Sequence, residues 1–147
     1  MDVNYYCSAA DAMPTFVDKY PKNTANVELR TSGCVDYDSD QYAFYGWFTP
    51  FTEEEVAQLK SYSFHTKHKD YWAIVEPTFV NHTSSYANSY DMVFMLTGLY
   101  AGYGLDTNDA GVKYLTTLLQ KHWYIAATNP TIDISDNITL YGFYYKI

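Results

Sequence analysis

Two of the four histidines, His65 and His68, stand three residues apart in a segment that is also rich in lysine. Imidazole titrates nearest to neutral pH of all side chains, and it is a common ligand of transition metals. On a helix this spacing places both rings on one face, where they are able to share a metal ion or act beside a carboxylate. The neighbouring Lys67 and Lys69 would repel a cation, so we favour an exposed basic segment and expect no bound metal ion or cofactor.

His82 begins the run His-Thr-Ser, in which hydroxyl side chains follow the imidazole. This run resembles one half of the signature of the two-histidine phosphodiesterases, which carry a His-x-Thr/Ser pair on each of two strands. The other half is missing, because none of His65, His68 and His122 is followed by threonine or serine at the same spacing. His65, His68 and His82 therefore stand as the candidate catalytic or metal-binding residues of a small hydrolase that would use them together with carboxylates.

A second cluster consists of carboxylates at alternating positions, Asp36, Asp38 and Asp40. The same spacing opens the calcium-binding loop of an EF-hand, where carboxylate oxygens coordinate the ion. The rest of that loop is missing, because Gln41 stands where the turn requires glycine and Trp47 stands where a bidentate glutamate is required. We interpret the cluster as an acidic, solvent-exposed turn.

Cys7 and Cys34 are the two cysteines of the chain. One pair of thiols in a domain of this length is not the disulfide framework of a small secreted protein, and the sequence does not establish whether the two pair. We expect reduced thiols. We also expect Cys34 to be an inert buried side chain rather than a nucleophile activated by His82 or His122.

Seventeen tyrosines accompany a single arginine, Arg30, in a chain of 147 residues with a net charge of −8. Guanidinium groups clamp phosphates, and neutralisation of phosphates supplies much of the affinity of proteins for nucleic acids. The composition therefore disfavours phosphoryl transfer and direct nucleic-acid binding. It favours a protein partner with a basic surface, for which an acidic surface is complementary.

The candidate binding residues are charged or aromatic side chains for which we expect exposure. Tyrosine is enriched in binding interfaces because it combines a flat apolar ring with a hydroxyl group. We predict an acidic surface formed by Asp36, Asp38, Asp40, Glu53 and Glu54, with aromatic contacts from Tyr37, Tyr86 and Tyr90.

The secondary-structure signals define the elements that would position these residues. Thr52 and Glu55 form a capping box, which predicts a helix over 52–62. Apolar periodicity predicts a second helix from about 108 to 123, and a weaker signal predicts a third over 9–20. Strands are predicted over 27–30, 42–48, 71–76 and 138–146, with further candidates at 3–7 and 132–134, whereas 91–100 fits either a buried strand or a buried helix.

Aromatic residues occupy both alternating sets of positions in segment 138–146, which indicates a strand covered on both faces. In segment 42–48 strict alternation would place Trp47 on the same face as Tyr45. Strands outnumber helices and do not alternate regularly with them. We therefore predict an α+β fold over residues 1–147: one compact domain whose mainly antiparallel sheet carries two or three helices on one face.

The first residues contain no secretion signal, and the longest apolar stretch, near 92–99, is too short to span a bilayer. We therefore expect a cytoplasmic protein that makes no contact with membranes. Asn81 and Asn137 each begin an Asn-x-Thr sequon for N-linked glycosylation. Because we expect no secretion, we interpret both sequons as coincidental.

Three functional hypotheses follow from these observations. The first is an acidic, tyrosine-rich inhibitor, of the kind that viruses and mobile elements use, which binds a basic, nucleic-acid-processing partner through its acidic surface. The second is the small hydrolase that would use His65, His68 or His82 with carboxylates. The third is a structural or assembly subunit whose exposed aromatic residues are buried between copies of the chain in a homo-oligomer.

Overall fold

The computed structural model describes residues 1–8, 11–31, 34, 41–81, 86–87, 105–125 and 131–147. Its strands are β1 (Asp2–Tyr6), β2 (Phe16–Lys19), β3 (Thr24–Glu28), β4 (Tyr42–Phe48), β5 (Tyr86–Ala87), β6 (Trp123–Tyr124), β7 (Thr131–Ile134) and β8 (Ile138–Lys146). Its helices are α1 (Glu53–Ser61), α2 (Phe64–Lys67), α3 (Lys69–Val75) followed by a π-helical segment (Glu76–Val80), and α4 (Ala110–His122). The predicted α+β class is confirmed.

Strand β8 is the centre of a mixed sheet with the order β2-β1-β8-β4-β6. One edge of β8 pairs with β4 in antiparallel orientation over most of its length. The other edge pairs with two strands in parallel orientation, with β1 from Ile138 to Tyr141 and with β5 at Tyr144 and Tyr145. A separate antiparallel pair is formed by β3 and β7. Antiparallel pairing therefore predominates, as predicted, although the central strand also has parallel partners.

The sheet separates two hydrophobic cores, and β8 contributes to both. On one face Phe143 packs with Leu115 of α4 and with other residues of the helices. On the opposite face Tyr144 packs with Val3 of β1 and with Ile132 of β7. The helices therefore cover one face of the sheet, as predicted, and the β3–β7 pair covers the other. This arrangement explains why both alternating sets of β8 are aromatic.

A β-bulge in β4 corrects the predicted alternation of that strand. The register between β4 and β8 shifts between Phe44 and Gly46, and Gly46 has a φ of 138°. Trp47 consequently joins Phe44 in the core beneath β3–β7 instead of sharing a face with Tyr45, and Phe48 joins the helical core. Only glycine fits at the bulge, because a Cβ atom there would lie 2.5 Å from the Tyr124 carbonyl oxygen.

The strand predicted over 71–76 is wrong, because this segment is helix α3 followed by the start of the π-helical segment. Its aromatic and β-branched residues favour a strand locally. In the structure they pack on other helices, and the indole Nε1 of Trp72 donates a hydrogen bond to Glu76 Oε2, 2.9 Å away and one helical turn later. Tertiary packing thus overrides the local preference of this segment.

The helix predicted over 9–20 is also wrong. Its second half is strand β2, which pairs with β1 so that Phe16 lies opposite Tyr5 and Asp18 lies opposite Val3. The guanidinium of Arg30 stacks over the Phe16 ring at 4.3 Å from its centroid and binds Asp18 through Nε and Nη2 at 2.9 and 2.7 Å. The pairing with β1 and the contacts with Arg30 hold β2 in an extended conformation.

The expectation of reduced thiols is corrected as well, because Cys7 and Cys34 form a disulfide bond. The bond joins the end of β1 to the chain that follows β3, and both half-cystines are buried in the core beneath β3–β7. A disulfide-bonded Cys34 has no thiolate, so it does not serve as a nucleophile. Within the described residues, no helix has the length and apolar character required to cross a membrane.

Candidate functional site

The predicted capping box begins helix α1 and is confirmed. The Glu55 amide donates to Thr52 Oγ1 at 3.2 Å, and the Thr52 amide donates to Glu55 Oε1 at 2.8 Å. Glu53 and Glu54 complete an acidic first turn, where negative charge is favoured by the helix dipole. Both of these side chains are exposed, whereas Glu55 turns into the protein and is only 8% exposed.

Beneath this turn, Glu55 is the centre of a buried polar network. Its Oε1 lies 2.7 Å from Nε2 of His122, and its Oε2 accepts a hydrogen bond from Nζ of Lys121 at 3.1 Å. Both partners stand in the last turn of α4, where positive charge is favoured. The network therefore connects the first turn of one helix to the last turn of another.

A hydroxyl group extends the network on the far side of the imidazole. Thr49 Oγ1 lies 2.7 Å from Nδ1 of His122, and the Thr49 amide donates to the His122 carbonyl oxygen at 2.8 Å. If the neutral imidazole carries its proton on Nε2, it donates to Glu55 and accepts from the Thr49 hydroxyl. Thr49, His122 and Glu55 then form a continuous hydroxyl–imidazole–carboxylate chain.

The pKa values of the two central groups follow from their surroundings. Burial lowers the pKa of His122 below 6.5, and the hydrogen bond and charge of Glu55 only partly oppose this effect. Burial by itself would raise the pKa of Glu55, but hydrogen bonds from Thr52 and Lys121 and the interaction with His122 outweigh it and lower that pKa from 4.5 to about 2. At neutral pH the network therefore combines an ionised carboxylate with a neutral imidazole.

An open groove of about 320 Å³ lies beside α1, close to this network. Its apolar lining comes from Phe51, Val56, Ala57 and Val80, and two charged side chains of α1 complete the lining. The Phe51 ring stacks on Phe79 and also lies 5.1 Å, centroid to centroid, from the His122 imidazole. Through Phe51, the lining of the groove is therefore adjacent to the buried network.

The two charges of the groove are Glu53 and Lys60, both of which are exposed. They stand seven residues apart on one helix, which corresponds to about 10 Å along the axis at about 1.5 Å per residue. The groove is therefore bipolar, with negative charge at the start of α1 and positive charge near its end. A volume of this size matches the lower range of small-ligand and side-chain pockets.

The other predicted site residues do not gather at this groove. The His65 ring makes a T-shaped contact with Trp72 at a centroid distance of 6.0 Å, and the His68 ring lies 4.9 Å, centroid to centroid, from Phe64. Both imidazole rings are half-buried against aromatic residues. Helix α2 ends at Lys67, before His68. Across the described ranges, no three His, Cys, Asp or Glu side chains are grouped as a metal site would require.

Several of the predicted site residues lie outside the described residues, together with the ambiguous segment 91–100. They are the binding candidates Asp36, Tyr37, Asp38, Asp40 and Tyr90 and the catalytic or metal-binding candidate His82. Tyr86 is described only as a backbone position in strand β5. Of the five carboxylates predicted to form an acidic surface, the described residues include Glu53 and Glu54.

Sequence reasoning missed the roles of Glu55 as a buried anion, of His122 as its partner and of Thr49. The capping box accounts for a glutamate at position 55 without any tertiary contact. The helix dipole likewise accounts for a histidine at the end of a helix, so neither residue signals a tertiary role by itself. Their contact spans 67 residues of sequence, so no spacing motif signals it. Comparison with protein-family models, with curated proteins and with solved structures gives no match to this chain.

Proposed function

We propose that this protein binds a protein partner through the groove beside α1. The partner would insert an apolar side chain into the groove, and a neighbouring lysine or arginine of the partner would face Glu53. The observation that carries this proposal is the combination of apolar lining residues with the exposed carboxylate of Glu53 in one open groove. Apolar burial would supply affinity, and the charge of Glu53 would supply orientation and specificity.

The charge balance of the chain supports a cationic partner. The sequence has 17 acidic side chains against 9 lysines and arginines. Four of those cations are already engaged with carboxylates inside the fold: Lys19, Arg30, Lys67 and Lys121. Arg30, the single arginine, is held by Asp18 and two aromatic rings, which leaves it poorly placed to bind a phosphate. Each of these four pairs also neutralises one carboxylate, so the net charge of −8 is unchanged, and Glu53 and Glu54 are exposed carboxylates outside these pairs.

The buried network gives the groove a fixed shape. Glu55 holds the first turn of α1 through Thr52 and ties it to Lys121 and His122 of α4. The other glutamates of this turn, Glu53 and Glu54, therefore belong to a helix whose position is fixed before a partner binds. Preorganisation of this kind reduces the entropic cost of binding.

The test uses fluorescence anisotropy with short labelled peptides that carry leucine or phenylalanine flanked by lysine. A matched set carries glutamate in place of lysine. We expect the lysine set to bind, with an affinity that falls as the salt concentration rises, because exposed charges are screened. Glu53→Gln should weaken this binding and Lys60→Gln should strengthen it, since the two changes remove opposite charges from the groove.

A steric pair separates the groove from general surface charge. Ala57→Arg fills the groove, whereas Gln58→Arg adds the same charge at an exposed neighbouring position that does not line it. Loss of peptide binding in the Ala57 variant alone would support the proposed site. Equal binding of the lysine and glutamate peptides, or equal effects of the two arginine variants, would contradict the proposal.

A second function is favoured by the chain of Thr49, His122 and Glu55. In an ester hydrolase, Thr49 Oγ would attack the substrate carbonyl while His122 Nδ1 accepts the hydroxyl proton. The imidazolium would then return that proton to the departing alkoxide, and water would release the acyl group from Thr49 by the same route. Glu55 would hold the required tautomer of the imidazole. Here His122 replaces His65, His68 and His82 as the candidate base.

The hydrolase reading is tested with p-nitrophenyl acetate and two variants at one position. Thr49→Ser keeps the hydroxyl group and Thr49→Ala removes it, while both leave the main-chain bond to His122 in place. Turnover in the parent chain and in the serine variant, together with its loss in the alanine variant, would support a nucleophilic Thr49. Absence of turnover in the parent chain, or turnover equal in the alanine variant, would leave the network with a structural role.

A further inference from the structure

The disulfide bond between Cys7 and Cys34 changes what is expected of the cellular compartment. Disulfides of structural type form and persist in oxidising surroundings and are rare in the reducing cytosol. Both half-cystines are buried, at 7% and 4% exposure, so the bond is part of the core beneath β3–β7 rather than a surface redox site. Such a core belongs to a chain that matures outside the reducing cytosol.

In an oxidising secretory compartment, the sequon formed by Asn137, Ile138 and Thr139 is a potential site of N-linked glycosylation. The structure describes all three of its residues. Asn137 lies in the exposed turn that leads into β8, whereas Ile138 packs against the core beneath β3–β7. The side-chain carbonyl Oδ1 of Asn137 accepts a hydrogen bond from the Asp2 amide at 2.8 Å. This contact leaves the amide nitrogen Nδ2 as the group available for modification.

An attached glycan would be compatible with this geometry. An N-linked glycan is joined to Nδ2 and keeps the amide carbonyl, so the bond from the Asp2 amide to Oδ1 is retained. Glycans are bulky and hydrated and therefore require an exposed acceptor. The exposed turn that contains Asn137 provides such a position.

We propose that Asn137 is an N-glycosylation site of a chain that matures in an oxidising secretory compartment. In the transfer step, Nδ2 of Asn137 loses a proton and forms a bond to the anomeric carbon of the donor sugar. The donor is a lipid-linked oligosaccharide pyrophosphate, and its sugar–phosphate bond breaks as the lipid pyrophosphate leaves. No oxidation or reduction accompanies the step. The disulfide and the sequon are independent features that point to the same compartment.

The decisive measurement is the intact mass of the full chain isolated from its natural source without reductant, before and after treatment with peptide N-glycosidase. We expect carbohydrate mass that the enzyme removes, with Asn137 converted to Asp in the peptide that contains it. We also expect the mass of the disulfide form rather than that of the dithiol. A chain whose mass equals the unmodified sequence would overturn the proposal.

A set of variants, each produced with a secretion signal in cultured animal cells, locates the glycan. Thr139→Ser preserves the sequon and Thr139→Ala destroys it, while both leave Asn137 and its contact with Asp2 in place. We expect the glycan on Asn137 in the serine variant and its loss in the alanine variant, with Asn108→Gln as a control outside any sequon. Secretion of a disulfide-bonded parent chain that carries no glycan at Asn137 would overturn the proposal. A separate Asn81→Gln variant removes the other sequon, so that any glycan attached at Asn81 is distinguished from the glycan on Asn137.

Discussion

Oε1 of Glu55 and Nε2 of His122 lie 2.7 Å apart, and the two residues are exposed by only 8% and 6%. Glu55 stands in the first turn of α1, where the helix dipole favours its negative charge, and His122 is the last residue of α4. Their contact therefore joins the two ends by a hydrogen bond between an ionised carboxylate and an imidazole in a weakly solvated site. Removal of either partner is expected to cost more free energy of unfolding than removal of one partner of a surface ion pair, because the remaining group would be left buried and unpaired.

Acidification is expected to weaken the fold in two steps. The folded pKa of His122 lies below its ordinary value of 6.5, so the stability linked to it is present above pH 6.5 and is lost as the pH falls through the lowered value. The Glu55 pKa falls from 4.5 to about 2 on folding, so its contribution is lost between these two values. Urea unfolding at a series of pH values measures both steps. His122→Gln should abolish the upper step, and a variant that retains both would contradict this assignment.

Glu55→Gln is expected to destabilise the protein at pH 7. The shift of the Glu55 pKa from 4.5 to about 2 corresponds to an upper value of about 3.5 kcal/mol at about 1.4 kcal/mol per unit of pKa. The neutral amide also leaves Lys121 without its carboxylate. The control is Glu54→Gln, which removes the same charge from the exposed neighbouring position and should change the free energy of unfolding by less than about 0.5 kcal/mol. Equal effects of the two variants would refute the role of the network.

Gly46→Ala is expected to be among the most damaging single changes in the sheet. The added Cβ would lie 2.5 Å from the Tyr124 carbonyl oxygen and 2.7 Å from Ile125 Cγ2, at a φ that L-residues rarely adopt. Relief requires movement of β4 against β6, and we expect a loss of at least about 3 kcal/mol in the free energy of unfolding. Thermal unfolding measures the effect. Ala43→Gly, in the same strand but before the bulge, should cost only about 1 kcal/mol. A Gly46 variant as stable as the parent would show that the bulge is not required.

Removal of the disulfide is expected to lower the free energy of unfolding by about 3 kcal/mol, because the bond closes a loop of moderate length in the unfolded chain. The sequence separation of the two half-cystines is 27 residues. The double variant Cys7→Ser/Cys34→Ser should show this loss with and without reductant, whereas the parent chain should show it only with reductant. Free thiols in the purified, unreduced parent chain, detected with a thiol reagent, would contradict the pairing.

The elements that the sequence predicted correctly are those with complete local signals. The capping box of Thr52 and Glu55 and the periodicity of 108–123 specify α1 and α4 without reference to other segments. The boundaries of β4 and β8 also match their predictions, because each is a long run of residues that favour strands. The prediction over 9–20 rested on a weak local signal, and pairing with β1 determined the conformation of its second half. The strand preference of 71–76 was overridden by packing on the other helices.

The sequence by itself determined the fold class, the capped helices, the two-faced central strand and the negative charge. Each of these depends on composition or on residues within one or two turns of each other. Tertiary structure alone decided the bulge at Gly46, the pairing of Cys7 with Cys34 and the contact of Glu55 with His122. The disulfide and the Glu55–His122 contact join residues that are distant in sequence, and the bulge changes the face on which the following side chains of β4 lie. Their contributions to the free energy of folding depend on burial, which exists only once both faces of the sheet are packed.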